Sequence, residues 1–193
     1  MDVSYADMPC LETPRLRLRK LSMRDAQDIY DYSRDPEVAR YVLWEAQSNP
    51  SEARSYVRYM LRKYRMGEPA SWGIELKAER RVVGTIGFMW IQRENAAAEV
   101  GYSLSRAHWN RGIMTEALNA VLEYGFRGMN LNRIEAQHET GNPASGAVMR
   151  KCGMRREGLL RQRLLNKGKF VDVELYAILR SDYLASRRAE RRG

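Results

Sequence analysis

A chain of 193 residues with 44% hydrophobic and 30% charged side chains holds enough apolar material for one packed core, and has neither the low hydrophobicity of a disordered chain nor a long apolar span. Its formal charge of +9 raises the local concentration of any anion, whether nucleic acid, acidic protein or phosphorylated ligand, so charge alone selects no partner. Two cysteines, Cys10 and Cys152, are too few for a disulfide framework and lack metal-ligand spacing, and with no basic-then-apolar stretch after Met1 the expected location is the cytoplasm, with no membrane partner.

Charged and apolar residues alternate over 15–21, with Arg15, Arg17 and Arg19 against Leu16 and Leu18, which predicts a strand with one solvated face. Ser22 stands where it would cap a helix that ends near Asp35-Pro36. A second helix is predicted from Ser51, with Ala53, Tyr56, Val57, Met60, Leu61 and Tyr64 at helical spacing and Gly67 as its stop. The connection over 41–50 carries Trp44. Strands at 71–77, 81–91 and 98–104, joined by polar turns, form an antiparallel meander. Ala117, Leu118, Val121, Leu122, Gly125, Phe126 and Met129 then make one apolar stripe, a helix over 115–129, and a strand follows at 133–139. Strand, loop, helix and strand in that order are a crossover between parallel strands, with the loop at the carboxyl end of the first strand. A short helix over 143–151, stopped by Gly153, precedes strands at 158–165 and 170–179. The closing Arg187, Arg188, Arg191 and Arg192 are expected to form a solvated, frayed tail.

The loop before the crossover helix carries the chemical signal. A glycine between polar residues, placed after a strand and opening a helix, aims unpaired backbone N–H groups at a point where the helix dipole favours negative charge. Here Asn110, Arg111 and Gly112 occupy the loop and Thr115 and Glu116 the first turn, so a guanidinium and side-chain donors join the backbone groups. No glycine-lysine loop of the nucleoside-triphosphate type is present.

In this context the chain resembles the GNAT superfamily of acyl-CoA N-acyltransferases. The resemblance is carried by Ala98-Glu99-Val100-Gly101-Tyr102-Ser103-Leu104, then Trp109-Asn110-Arg111-Gly112-Ile113-Met114-Thr115-Glu116-Ala117, then Asn142-Pro143-Ala144-Ser145. The opening Leu11-Glu12-Thr13-Pro14-Arg15-Leu16-Arg17-Leu18-Arg19 and the late Asp172-Val173-Glu174-Leu175-Tyr176 are similar to the RimJ/RimL type, the branch named for acetylating ribosomal-protein N-termini. The resemblance implies an α/β fold with a central mixed sheet of roughly six to seven strands, antiparallel at its N-terminal side, a parallel pair at the coenzyme site and about four flanking helices. It also implies one acyltransferase domain over 11–180, with 1–10 and 181–193 as terminal extensions.

For the site, the resemblance implies acetyl-CoA as acyl donor and no metal. Backbone groups of Trp109, Asn110, Arg111, Gly112, Ile113 and Met114, with Thr115 beside them, would receive the pyrophosphate, Asn142 would bond the pantetheine, and Ser145 would lie near the sulfur. The family's usual Gln or Arg at the first loop position is Trp109 here, and its small residue at the last is Met114. A lysine-type amine, with a pKa of about 10.4, must lose a proton to attack, and Glu99 resembles the carboxylate that several branches use as base. Gln137 stands where some N-terminal acetyltransferases carry a glutamate; Glu135 and Glu139 flank it at strand alternation and remain bases through a water. A main-chain N–H near Ser103 or Leu104 would stabilise the oxyanion if the strands part there. The family's tyrosine acid is replaced by Met149, which leaves Ser145, one turn earlier, as substitute acid. His138 is read as structural and His108 as a loop donor.

The acceptor is expected opposite the coenzyme, between the 41–50 connection and the loop 166–169, with Trp44, Trp72 and Trp90 as wall or core. The branch resemblance implies an amine acceptor, most directly a protein N-terminus; a small-molecule amine such as an antibiotic, polyamine or amino acid fits equally once charge is set aside. Nucleic acid is expected only through association with ribosomes, and a homodimer is the family-level expectation. Two other classes stay open: a non-catalytic acyl-CoA sensor, suggested by Gln137 and Met149, and a basic RNA- or ribosome-binding module, suggested by the net charge.

Overall fold

The computed structural model describes residues 8–190. Strands β1 (Leu11–Glu12) and β2 (Leu16–Arg19) pair antiparallel around Thr13 and Pro14. A 3-10 turn over Met23–Asp25 follows, entered by a capping box in which the Ser22 N–H donates to the Asp25 carboxylate at 2.7 Å. Arg19 clamps the other side of that buried carboxylate with two nitrogens at 2.8 and 2.9 Å. Helix α1 (Ala26–Ser33) leads to a single turn, α2 (Pro36–Ala39), and then to α3 (Pro50–Met66). Each later start has an Asx cap followed by proline, Asp35 accepting from Glu37 N–H and Asn49 from Ser51 N–H, and Gly67 ends α3 with φ +66°.

Strands β3 (Ser71–Leu76), β4 (Arg81–Gln92) and β5 (Ala97–Leu104) form the expected meander. Helix α4 (Ile113–Glu123) runs into a π turn over Tyr124–Gly128, followed by β6 (Arg133–Glu139), α5 (Pro143–Lys151), β7 (Arg155–Asn166), β8 (Lys169–Leu179) and α6 (Arg180–Glu190). All strands join one sheet in the order β1-β2-β3-β4-β5-β6-β8-β7, in which β5 and β6 are the parallel pair. That pair holds only for Ala97 with Arg133, Ala98 with Ile134 and Glu99 with Glu135, whereas β6 pairs with β8 along its whole length. Beyond Glu99 the two strands separate.

One face of the sheet packs against α4 and α5: Trp72, Phe88 and Tyr124 meet edge to face at 6.2 and 5.7 Å between centroids, over a core that includes Ala98, Val100, Leu118 and Phe126. The other face meets α1 and α3, where Tyr32 reaches the hydroxyls of Thr85 and Ser103. The sheet has eight strands rather than six or seven, because β1 is a two-residue strand too short to show a period in sequence. Six helices rather than four are present among the described residues. The additions are α2, one turn behind Asp35, and α6, which occupies the expected frayed tail. Tyr183 of α6 is buried and stacked on Phe126 at 5.0 Å, and Arg187 lies 5.4 Å over the same tyrosine ring, so apolar docking holds a helix that its arginines alone would not suggest. Arg191 and Arg192 lie outside the described residues.

Candidate active site

The loop expected to hold the coenzyme leaves β5 at Leu104, turns through a 3-10 segment (Arg106–His108) and reaches α4 at Ile113. Its two left-handed residues are Asn110 (φ +58°) and Gly112 (φ +73°), types that tolerate this conformation. A side-chain carbon added at Gly112 would meet nothing nearer than Arg15 Nη2 at 3.4 Å, so the glycine serves the backbone angle and leaves the surface open to a ligand. The Glu116 N–H closes the first backbone bond of α4, onto Gly112 O at 3.0 Å, and the N–H groups of Ile113, Met114 and Thr115 therefore precede the ladder. With exposed Arg111, this donor set fits a pyrophosphate.

The chain start holds the loop in place. Arg15 donates from Nη1 to Arg111 O at 2.8 Å and from Nε to Glu116 at 2.6 Å, while Thr13 Oγ1 and Arg15 N–H donate to the same carboxylate at 2.6 and 2.9 Å. Desolvation pushes the Glu116 carboxyl up, but these donors outweigh it and hold it below the usual range. The pairing with Arg15 offsets the negative charge that Glu116 would otherwise bring beside a phosphate. Trp109 takes a role that the sequence did not indicate: its Nε1 donates to Leu104 O at 2.8 Å and staples the loop to the strand end. Ile113 and Met114 are buried in the core, so Met114 packs the helix and does not line a cleft. His108, also buried, sets Nε2 3.1 Å from Glu79 and anchors the loop rather than offering a donor to it.

Strand alternation turns the Ser103 and Leu104 N–H groups to opposite sides. Ser105 N–H donates to Val83 O at 2.7 Å, across an antiparallel ladder that also pairs Thr85 with Ser103 and Gly84 with Leu104. In such a ladder successive N–H groups point to opposite sides, so Ser103 N–H turns toward β4 and Leu104 and Tyr102 N–H turn toward the side β6 has left. The Ser103 N–H thus faces β4, and its hydroxyl lies 3.2 Å from Thr85 Oγ1 on the α1 side.

Glu99 stands at the fork, the last β5 residue paired with β6. Its carboxylate accepts from Trp90 Nε1 at 2.9 Å and from Gln137 Nε2 at 3.2 and 3.3 Å. The other carboxylates of β6 are engaged elsewhere, Glu135 with Arg133 at 2.6 Å and Glu139 with Asn166. His138, on the opposite face, is buried with Nδ1 2.7 Å from Glu139 O and its ring against Tyr176, which fits the structural reading.

At the other side of the fork Asn142 caps α5, its Oδ1 accepting from Ser145 N–H at 3.4 Å; among the described residues its Nδ2 has no protein partner. Ser145 Oγ lies 3.0 Å from Tyr102 Oη, which is also 3.2 Å from Ser145 O. Burial raises the Tyr102 phenol well above the ordinary tyrosine range, against a smaller opposing effect of the Ser145 bond. Met149 is core, and the hydroxyls at this end of α5 are those of Ser145 and of the phenol reaching in from β5. Tyr102 was not singled out in sequence as a partner of Ser145. The signal was present: a polar aromatic alternating with Val100 and Leu104 on a core-facing strand needs a partner for its hydroxyl.

The two segments expected to bound the acceptor are joined. Lys167, in the β7–β8 turn, donates from Nζ to Ala39 O at 2.9 Å and to Val42 O at 2.6 Å, and Tyr41 packs over Gly141. Trp72 is core, with Nε1 donating to Pro9 O at 2.8 Å, and Trp44 is partly buried against the core. No helix among the described residues is long and apolar enough to cross a membrane.

Comparisons with known proteins identify the family and the fold. Residues 15–155 match the family described as Acetyltransferase (GNAT) domain. The chain is 37% identical over 176 residues to a protein of Bacillus licheniformis named Uncharacterized N-acetyltransferase p20, covering 91% of this chain and 99% of that one. It is 28% identical over 185 residues to the [Ribosomal protein uS5]-alanine N-acetyltransferase of Escherichia coli, covering 92% and 94%. A solved acetyltransferase structure (GNAT family) from Bacillus anthracis superposes with a TM-score of 0.80 at 30% identity, covering 90% of this chain and 99% of that one. A helix N-terminus with a left-handed glycine, beside parallel strands that part at a carboxylate, thus occurs in a chain that belongs to the GNAT family of acyl-CoA-dependent N-acetyltransferases.

Proposed function

We propose that the chain transfers an acetyl group from acetyl-CoA to a protein N-terminal amine by direct attack, with Glu99 as the base. The observation that carries this reading is the position of Glu99: its carboxylate sits at the last pair before β5 and β6 separate, beside the N–H groups that the separation leaves without a strand partner.

When bound, acetyl-CoA supplies an activated acyl carbonyl and a thiol leaving group. The loop from Trp109 to Thr115 holds the pyrophosphate, and Asn142 Nδ2 bonds the pantetheine. Glu99 takes the proton that the amine sheds as its nitrogen bonds to the acyl carbon, directly or through a water. Leu104 N–H, with Tyr102 N–H, stabilises the oxygen that gains charge. Ser145 gives a proton to the departing sulfur as the carbon–sulfur bond breaks, with Tyr102 fixing its hydroxyl.

An α-amine, with a pKa of about 7.7–8.0, has a far larger neutral fraction at pH 7 than a lysine at about 10.4, so one carboxylate suffices as base for a chain terminus. The full-length similarity to a ribosomal-protein alanine acetyltransferase supports the same acceptor class. The test is thiol release from acetyl-CoA against peptides with free N-terminal alanine or serine, the same peptides with blocked termini, and small amines including polyamines and aminoglycosides. Turnover on free-terminus peptides alone is expected. Turnover confined to a small amine overturns the acceptor assignment, and unchanged turnover in Glu99→Gln overturns the base.

A further inference from the structure

We infer that Trp90 and Gln137 are positioning residues that aim the Glu99 carboxylate into the fork between β5 and β6; the inference rests on the assignment of Glu99 as base. Three strands bring the arrangement about. On β4 the ladder pairs Phe88 with Val100 but Trp90 with Glu99, so Met89 is an extra residue in a bulge. Paired residues share a face of the sheet. A regular ladder would pair Trp90 with Ala98 and turn its indole to the α4 face, whereas the bulge turns it to the face of Glu99. There Nε1 donates to Glu99 Oε2 at 2.9 Å. The displaced Met89 lies over Gly101, where an added side-chain carbon would come within 2.9 Å of its sulfur, and this explains a glycine at the centre of β5.

Gln137 comes from the opposite branch. It follows Glu135 by two residues on β6, on the same face, at the level where β5 has already turned away. Its Nε2 spans both carboxylate oxygens, at 3.2 Å from Oε1 and 3.3 Å from Oε2. Two N–H donors from two strands fix both the plane and the direction of the carboxylate. A carboxylate has about four acceptor positions, and Oε1 takes only the one contact from Gln137 at 3.2 Å, which leaves it open to the amine proton or a bridging water.

Both donors are neutral, and that matters for a base. An arginine at either position would orient the carboxylate equally well but would stabilise its charge and blunt it as a proton acceptor. The nearby guanidinium on β6, Arg133, is instead drawn to Glu135 and Glu157, at 2.6 Å from each. A glutamate at position 137 would set a second carboxylate against the first, and the two would share a proton. Gln137 avoids this and donates instead.

The test compares Gln137→Met, which keeps an unbranched side chain without the amide, and Trp90→Phe, which keeps a ring without the N–H, each alone and in a Glu99→Gln background. Steady-state kcat and KM are measured for acetyl-CoA and for the best acceptor of the panel above. Each single variant is expected to lower kcat on the order of ten-fold with an unchanged KM for acetyl-CoA, and to lower it no further once Glu99 is already glutamine. Equal losses in both backgrounds, or full turnover in the single variants, overturn the positioning role and leave the base assignment standing. Full turnover in Glu99→Gln removes the base assignment itself, so the two failures are distinguishable. If Trp90→Phe fails to fold, Gln137→Met decides the question alone.

Discussion

The hydroxyl of Ser145 lies 3.0 Å from the phenolic oxygen of Tyr102, so helix α5 and strand β5 share a hydrogen bond beside the fork in the sheet. The phenol also lies 3.2 Å from Ser145 O, which can only accept. Tyr102 therefore has an acceptor for its proton whichever way the Ser145 hydroxyl turns, which leaves that hydroxyl able to donate elsewhere, as the proposed transfer to the sulfur requires. Ser145→Ala is expected to lower kcat by about 10²-fold, and Tyr102→Phe by less, since Ser145 then keeps its proton and loses only its partner. Pre-steady-state and steady-state rates with a common acceptor check the order; the reverse order would make the phenol the acid.

Alkaline stability tests the burial of the tyrosines. Desolvation raises the phenols of Tyr32, Tyr64 and Tyr102 above their ordinary range. A group whose folded pKa is raised contributes stability that is complete below its unfolded value, about 10 for tyrosine, and is lost as pH rises toward the folded value. Urea midpoints should fall steeply above about pH 10, and less steeply in Tyr102→Phe. Identical slopes for the two proteins would show that this phenol is not desolvated.

Acid stability has the opposite sign. The Glu116 carboxyl is held low by Thr13 and Arg15 against desolvation, so its contribution is present above the unfolded value, about 4.3, and is lost as pH falls through the lower folded value. Glu116→Gln is expected to lose about 1–2 kcal/mol at neutral pH and to show a smaller further loss on acidification. Denaturant titrations of both proteins at neutral and acid pH give the comparison.

Gly112→Ala isolates the backbone of the loop. There is room for the methyl group, but φ +73° is a left-handed angle that costs an alanine about 1–2 kcal/mol. If the loop relaxes to avoid that strain, coenzyme A should bind roughly 5- to 30-fold more weakly by calorimetry, with the acceptor KM little changed. Undiminished affinity would mean that the pyrophosphate does not use this turn.

Lys167→Met removes the tie between the β7–β8 turn and the carbonyls of Ala39 and Val42. The acceptor KM is expected to rise several-fold while coenzyme affinity is retained, because only the acceptor side is loosened. An effect confined to acetyl-CoA would place these segments on the wrong side of the enzyme.

The meander, the crossover, and helices α3 and α5 were legible in sequence because each has a period and a stop: Gly67 and Gly153 have φ of +66° and +82°, and the 133–139 and 143–151 elements match β6 and α5. The turn into α4 was legible because glycine and asparagine at left-handed positions leave a compositional mark. Other features leave none. The bulge at Met89 is one residue of displacement in a run that still reads as a strand, so the meeting of Trp90 with Glu99 was hidden. Gln137 read as a lost base because the donor role of an amide depends on a partner 38 positions away. Helix α6 was read as a tail because its arginines outweighed the one tyrosine that anchors it.

The three-pair junction between β5 and β6 also bears on how the chain can be divided. Strands β1 to β5 are contiguous in sequence, as are β6 to β8, and each set is fully laddered within itself. The sheet is therefore two local modules, linked through one crossover and the packing of α4 and α6. A cut in the segment between Gly128 and Arg133 severs no strand, so the two fragments should reassemble when mixed, and if coenzyme binds at both the 109–115 loop and Asn142, as proposed, it should strengthen their association. On that proposal, a ligand that the enzyme handles as substrate would also serve as the clasp between its halves.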